Sequence, residues 1–181
     1  ATVLCINKSI TKIIIMKKVL FVENSAGFCK FNAPYMNWFK QQGWQVDHVA
    51  PGIEEKFAYG VTHHYDVDIH RSPFSFQNIK AIKALKKLID KEQYDLVHCH
   101  TEMGGLCARL AAISARKKGC KVIYTSHNYP FYKGASMVAW TVFYSVERML
   151  APLTDAVVTI NEEDYQITFK HRFARGANFK I

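Results

Sequence analysis

KEQYDLVHCHTEMGGLCARLAA, residues 91–112, is the stretch on which the fold turns. Within it, Asp95–His100 reads as a strand, near-continuously apolar as a strand covered on both faces must be. Past Thr101 the apolar spacing lengthens to that of a helix, predicted from Gly104 to Lys118. A strand running straight into a helix is a βα unit, and the same unit recurs on either side. Upstream, VLFVE leads into a helical segment; downstream, VIYTS does the same.

Extended along the chain, the pattern predicts strands at Lys18–Glu23, Trp44–Ala50, Val61–Val67, Asp95–His100, Lys121–Ser126 and Ala156–Ile160. Helices are predicted at Cys29–Gln42, Phe76–Glu92, Gly104–Lys118, Ala135–Leu150 and Glu162–Phe169. In the second of these, Ile79, Ile82, Leu85, Leu88 and Ile89 form an apolar stripe, and Lys80, Lys83, Lys86, Lys87 and Lys91 form a basic face. Gly43 and Gly119 stand where helices should end ahead of strands. Right-handed crossovers then give an α/β domain with a Rossmann-like, doubly wound parallel sheet of about six strands and helices on both faces.

The domain is expected over residues 16–170. Residues 1–15 read as an extension ahead of Met16, and residues 171–181, where periodicity fades, as a tail or the start of an interdomain linker. At 181 residues with 49% hydrophobic content the chain can bury one sizeable core. Its five cysteines are odd in number and show no CxxC spacing, which argues against a disulfide framework. A net charge of +9 favours anionic partners. No nucleic-acid-binding motif accompanies it, so nucleic acid is not expected. No apolar run reaches the roughly 20 residues that span a bilayer.

Ligands of such a sheet bind at the carboxyl ends of its strands. Polar residues gather there: Glu23 to Gly27 after the first strand, His100 to Gly105 after the fourth, His127 to Tyr129 after the fifth, and Asn161 to Asp164 after the sixth. Ser25, Ala26 and Gly27 lead towards a helix start, where backbone N–H groups can hold a phosphate; the same residues also suit a plain turn. The loop lacks GxGxxG and the P-loop lysine, which disfavours dinucleotide or P-loop chemistry. His98 is expected to be a hydrogen-bonded core residue, while His100 and His127 face the crevice. No metal site is expected, because no ligand spacing completes three imidazoles. Glu102 reads either as a base or sugar-binding carboxylate or as a solvated loop residue. Glu162, Glu163 and Asp164 also fit the acidic first turn of a helix. The Lys-rich helix and the run Phe131, Tyr132, Trp140, Phe143, Tyr144 suggest a membrane or lipid-linked partner, although each also suits ordinary packing.

Five stretches carry a family resemblance: MKKVLFVENSAGF, WQVDHVAPG, RSPFSFQNIKAIKALKKLIDKEQYDLVHCHTEMGGLCARLAA, KVIYTSHNYPFYKGA and LTDAVVTINEEDY. Together they resemble the N-terminal domain of retaining glycosyltransferases with the two-lobed GT-B fold, of the capsular or exopolysaccharide type. The resemblance implies a hexosyltransferase that moves a sugar from a nucleotide-diphosphate sugar, a co-substrate, to a lipid-linked glycan without metal or other cofactor. It implies donor contacts at Ser25, Ala26 and Gly27, a catalytic His127, and an acceptor side at His100, Thr101, Glu102 and Tyr129. It also implies a C-terminal donor-binding domain beyond this chain, an isolated chain that does not turn over, and a place in the cytoplasm or at the inner face of the cell membrane. The sequence departs from the family where Asn128, Tyr129 and Pro130 replace the usual glycine and second histidine. Two alternatives are a non-catalytic acceptor- or membrane-binding subunit paired with a separate donor-binding chain, and a Rossmann-like epimerase or dehydrogenase, which the missing GxGxxG disfavours.

Overall fold

The computed structural model describes residues 16–52 and 60–181. The expected extension, residues 1–15, lies outside the described residues. Seven strands form one sheet: β1 (Lys18–Val22), β2 (Gln45–Ala50), β3 (His63–Asp66), β4 (Leu96–His100), β5 (Lys121–Ser126), β6 (Ala156–Thr159) and β7 (Ala177–Lys180). Their spatial order is β3-β2-β1-β4-β5-β6-β7, and every pairing is parallel. The helices are α1 (Phe28–Gln41), α2 (Gln77–Glu92), α3 (Glu102–Ala111), the short α4 (Ile113–Arg116), α5 (Met137–Leu150) and α6 (Glu162–His171). The expected helix 104–118 is thus two pieces, joined at Ala112 (φ −80°, ψ −2°).

Connectivity decides what covers each face. The chain steps from β1 to β2 to β3 in one direction, then crosses back through α2 to β4 and continues the other way. Right-handed crossovers therefore place α1 on one face and α2, α3, α5 and α6 on the other. The larger core follows: Leu20, Val22, Val97, Cys99, Val122, Tyr124 and Val157 meet Leu85, Ile89, Cys107 and Ala108. Under α1 sits a smaller cluster of Val19, Phe21, Cys29, Met36, Val46 and Leu96. Each large side chain so buried contributes roughly 1.5–3 kcal/mol. On the α1 face the sheet beyond β4 carries no helix, and Phe179 and Ile181 stay 53% and 62% exposed.

β7 is a strand that the sequence reading leaves in the tail. Its run ANFK has no apolar alternation to announce it, and its burial is that of an edge. Backbone pairing makes it: Arg175 N–H donates to the Thr154 carbonyl (2.9 Å) and Gly176 N–H to that of Asp155 (3.1 Å). A Cβ at Gly176 would stand 2.5 Å from the Asp155 carbonyl oxygen, so glycine is what lets the strand approach.

One buried ion pair locks α3 to α5. The Arg109 guanidinium, fully buried, holds both carboxylate oxygens of Glu147 at 2.7 and 2.8 Å. Its Nε donates to the Gly105 carbonyl at 2.9 Å, and its plane lies 4.2 Å from the Tyr124 ring centroid. The two glycines of the opening stretch explain the tight seat of α3. A Cβ on Gly104 would stand 3.3 Å from Glu23 Cα, and one on Gly105 would meet the Tyr124 ring at 2.7 Å.

Candidate functional site

The carboxyl edge of the sheet gathers the residues singled out from sequence. β1 ends at Val22, and the turn Ser25–Gly27 runs directly into α1 at Phe28. Phe28 and Cys29 donate their N–H groups to the carbonyls of Ser25 and Ala26 (3.1 Å each), so helical geometry already begins in the turn. Gly27 has φ −61°, and a Cβ there would meet only Ser25 Oγ at 3.7 Å. Neither backbone strain nor crowding requires glycine at this position.

β4 and β5 supply the imidazoles. Parallel register aligns His98 with Ile123 and His100 with Thr125, so His98, His100 and Thr125 share the α1 face, and His127 follows the end of β5. His98 Nε2 bonds Thr125 Oγ1 at 2.9 Å, the core histidine expected. Burial, then the charge of His127, pushes its pKa down to about 3. His100 Nδ1 stands 3.4 Å from His127 Nε2, so one of the two rings must carry its proton on the facing nitrogen. Burial, and then the neighbouring His98, His127 and His48, hold His100 well below the usual imidazole value; burial also lowers His127. The Phe28 ring packs edge-on against His127 with centroids 5.0 Å apart, which joins the first turn to the end of β5. At neutral pH the structure therefore presents neutral imidazoles.

Several sequence-predicted residues are placed differently from the expectation. His100 is only 1% exposed, beneath the crevice floor, and its Nε2 has no protein partner. Thr101 is buried at φ +62°, a conformation that a β-branched residue adopts only when its surroundings force it. Its Oγ1 caps α3 by accepting from Gly104 N–H at 3.3 Å. The Tyr129 side chain is core: its ring stacks on Phe131 at 4.7 Å and its hydroxyl meets Thr168 Oγ1 at 3.0 Å. Of the expected acceptor-side residues, Glu102 reaches open space, a hollow of about 590 Å³ shared with Asn128, Tyr132, Asn161 and Glu163. Burial raises the Glu102 pKa. Asp164 and its neighbours follow the helix-start reading. Asn161 caps α6, and Asp164 accepts from Ser126 Oγ (3.2 Å) and Tyr129 N–H (3.0 Å). In the aromatic run, Phe131 is buried, and Trp140, Phe143 and Tyr144 pack against the larger core.

The sequence reading missed a second polar cluster on the same face. Glu23 is fully buried at the end of β1, where its carboxylate accepts from the Asn32 side chain. Its other oxygen lies 3.3 Å from His48 Nε2, close enough for an ion pair yet out of line for a hydrogen bond. His48 Nδ1 in turn meets His64 Nδ1 at 2.9 Å. The signal was present in two places: VLFVE ends a wholly apolar strand on a carboxylate, and QVDHVA puts Asp and His inside another. Among the described residues no group of three or more His, Cys, Asp or Glu could hold a metal ion.

Comparison with known proteins gives this edge a context. Over 150 residues the chain is 49% identical to EpsD of Bacillus subtilis (strain 168), which bears a glycosyltransferase name; the match covers 82% of this chain and 39% of that protein. It is 30% identical over 98 residues to the UDP-Gal:alpha-D-GlcNAc-diphosphoundecaprenol alpha-1,3-galactosyltransferase of Escherichia coli, covering 54% of this chain and 24% of that one. The chain thus spans well under half the length of these relatives. Among solved structures, Acinetobacter baumannii MurG superposes with a TM-score of 0.57 at 19% identity, covering 81% of this chain and 42% of that one. The UDP-GlcNAc 2-epimerase of Neisseria meningitidis gives 0.62 at 17% identity, covering 84% and 42%. At such identities these two show the fold alone, the Rossmann-like lobe of the GT-B architecture. The profile of Glycosyltransferase Family 4 matches residues 36–176, from the middle of α1 to the threshold of β7, and the chain belongs to that family.

Proposed function

We propose that this chain forms the acceptor-side lobe of a hexosyltransferase that moves a sugar, with retention, from a nucleotide-diphosphate donor to a lipid-linked glycan of a surface polysaccharide. The observation that carries the reading is the meeting of the first turn with the fifth strand's end. Phe28, directly after Ser25–Gly27, lies on His127, which in turn stands 3.4 Å from His100. Backbone N–H groups of the turn and the start of α1 would face the diphosphate, whose charge grows as it leaves. A neutral His127 can donate or accept a hydrogen bond at the donor sugar without adding charge. Glu102, in its hollow beside Asn128 and Asn161, would face the acceptor. His100 acts from below, fixing the His127 ring rather than touching sugar.

Support for a lipid-linked acceptor comes from the printed activity of the Escherichia coli relative, which acts on a diphosphoundecaprenol-linked sugar. The reading assigns the nucleotide to residues outside this lobe, in a second domain, so the chain alone is expected to bind donor weakly and not to turn over. The bare sheet face beyond β4, with its hollow of about 810 Å³ rimmed by Phe31, Tyr35, Ile160 and Phe179, favours a second reading, a subunit paired with a separate donor-binding chain. The test is a chimera in which this chain replaces the matching segment of the Bacillus relative, scored by transfer from labelled nucleotide sugars to a membrane lipid extract. Transfer should occur and should fall on the order of a hundredfold with His127→Ala. Donor affinity of the isolated chain equal to that of the chimera would overturn the two-lobe reading.

A further inference from the structure

Four large apolar side chains stand out in water at one place on the rim. Phe74 and Phe76 are 82% and 83% exposed, just ahead of α2, and Met137 and Val138 are 80% and 70% exposed in the first turn of α5. Some sixty residues separate the pairs in sequence, yet the fold joins them. Both helices follow strands of a parallel sheet, so both begin at its carboxyl edge, and both pack on the same face. Pro73, next to Phe74, lines one groove together with Val142, Phe143 and Val146 of α5. Singly exposed apolar residues are ordinary, whereas a contiguous set of this size marks a surface that is covered in use.

Charge says by what. From Arg71 to Ile89 the sequence holds Arg71, Lys80, Lys83, Lys86 and Lys87 and no Asp or Glu; from Lys133 to Val146 it holds Lys133 and again no acid. Apolar tips set among cations are the composition of a surface that enters the headgroup zone of an anionic bilayer, where aromatic rings sit at the boundary and each nearby cation adds to the attraction.

We propose that Phe74, Phe76, Met137 and Val138, flanked by Arg71, Lys80, Lys83 and Lys133, form a docking surface for an anionic lipid membrane. Because this surface lies on the same edge as His127 and Glu102, docking turns the cleft towards the bilayer plane. The aromatic run expected from sequence to meet lipid is not the contact: Phe131 is fully buried and Trp140 donates its Nε1–H to the Tyr132 carbonyl at 3.2 Å. The inference stands apart from sugar transfer, since it concerns where the protein rests and not what it converts.

Flotation of the 181-residue chain with vesicles tests it. The chain should float with phosphatidylcholine vesicles containing about 30% phosphatidylglycerol and remain unbound with phosphatidylcholine alone. Phe74→Ser/Phe76→Ser and Met137→Ser/Val138→Ser should each lower partitioning on the order of tenfold, with the melting temperature unchanged. Lys80→Gln/Lys83→Gln should weaken binding and flatten its salt dependence. In Phe76→Trp the fluorescence should shift to the blue when anionic vesicles are added. Absence of binding to anionic vesicles overturns the proposal. So does binding that Phe74→Ser/Phe76→Ser leaves intact, which would mean adsorption by charge alone, and so does a Phe76→Trp emission that stays at its aqueous wavelength.

Discussion

Acidification from about pH 7 to about pH 5 should weaken the fold through the imidazoles beneath the cleft. His98 titrates at about 3 in the folded chain, because burial and the nearby His127 disfavour its charge. His100, fully enclosed, is likewise held well below the ordinary 6.5. Both stay neutral in the folded state at pH 5, and both are protonated once the chain unfolds. The unfolded state therefore binds more protons, and stability present above the unfolded pKa is lost as pH falls towards the folded one. Each group sits about 1.5 units below its unfolded pKa at pH 5; at about 1.4 kcal/mol per unit the loss is about 2 kcal/mol per ring, or about 4 kcal/mol for the pair. That is a large share of a total of roughly 5–15 kcal/mol. His127, more open, adds a smaller amount of the same sign. Glu102 and Asp164, whose pKa values burial raises, act oppositely, since the fold favours their protonated forms; their offset grows below pH 5, so the window above it is the informative one. Urea unfolding at pH 7, 6 and 5 should give a slope approaching two protons, and His98→Gln/His100→Gln should remove most of it. A flat profile, or an equal slope in the double variant, would refute the burial argument.

Breaking the Arg109–Glu147 pair by Glu147→Ala strands a buried guanidinium and should cost about 3–5 kcal/mol in urea unfolding, whereas Arg109→Met/Glu147→Leu should cost markedly less. Gly105→Ala drives a methyl group into the Tyr124 ring and should cost about 1–3 kcal/mol, read as a lowered melting temperature. Gly27→Ala, with open space around it, should leave stability within about 0.5 kcal/mol, and in the chimera it should raise KM for the nucleotide sugar if the diphosphate rests on that turn.

Most of the sheet was legible because parallel strands buried on both faces spell themselves as apolar runs: VLFV, LVHC and VIYT sit where the pattern puts them. β7 was not, because a polar edge strand is held by backbone pairing and by one glycine rather than by side chains. At the site, chain order places His100 and His127 on one edge, but how deep a ring sinks depends on which helix lies over it; α1 and Phe21 roof His100, which no periodicity reports. The same limit hid Glu23 and His48, which come together through the register of two strands separated by a whole helix. Tyr129 illustrates the reverse error: a polar-tipped residue in a rim loop whose ring fills the core while only its backbone serves the edge.

The central place of β1 has a consequence for synthesis. Val19 pairs on one flank with Val46 and on the other with Leu96. A growing chain can therefore zip β1 to β2 early but must leave the opposite hydrogen-bonding flank of its most apolar strand bare until residue 96 has cleared the ribosome. Long-range parallel pairing is slow to form, so that interval is when the nascent polypeptide is most exposed to capture by chaperones or to aggregation. A ribosome stalled shortly before β4 should hold a chaperone-bound chain, and one stalled after β5 should release a protease-resistant domain.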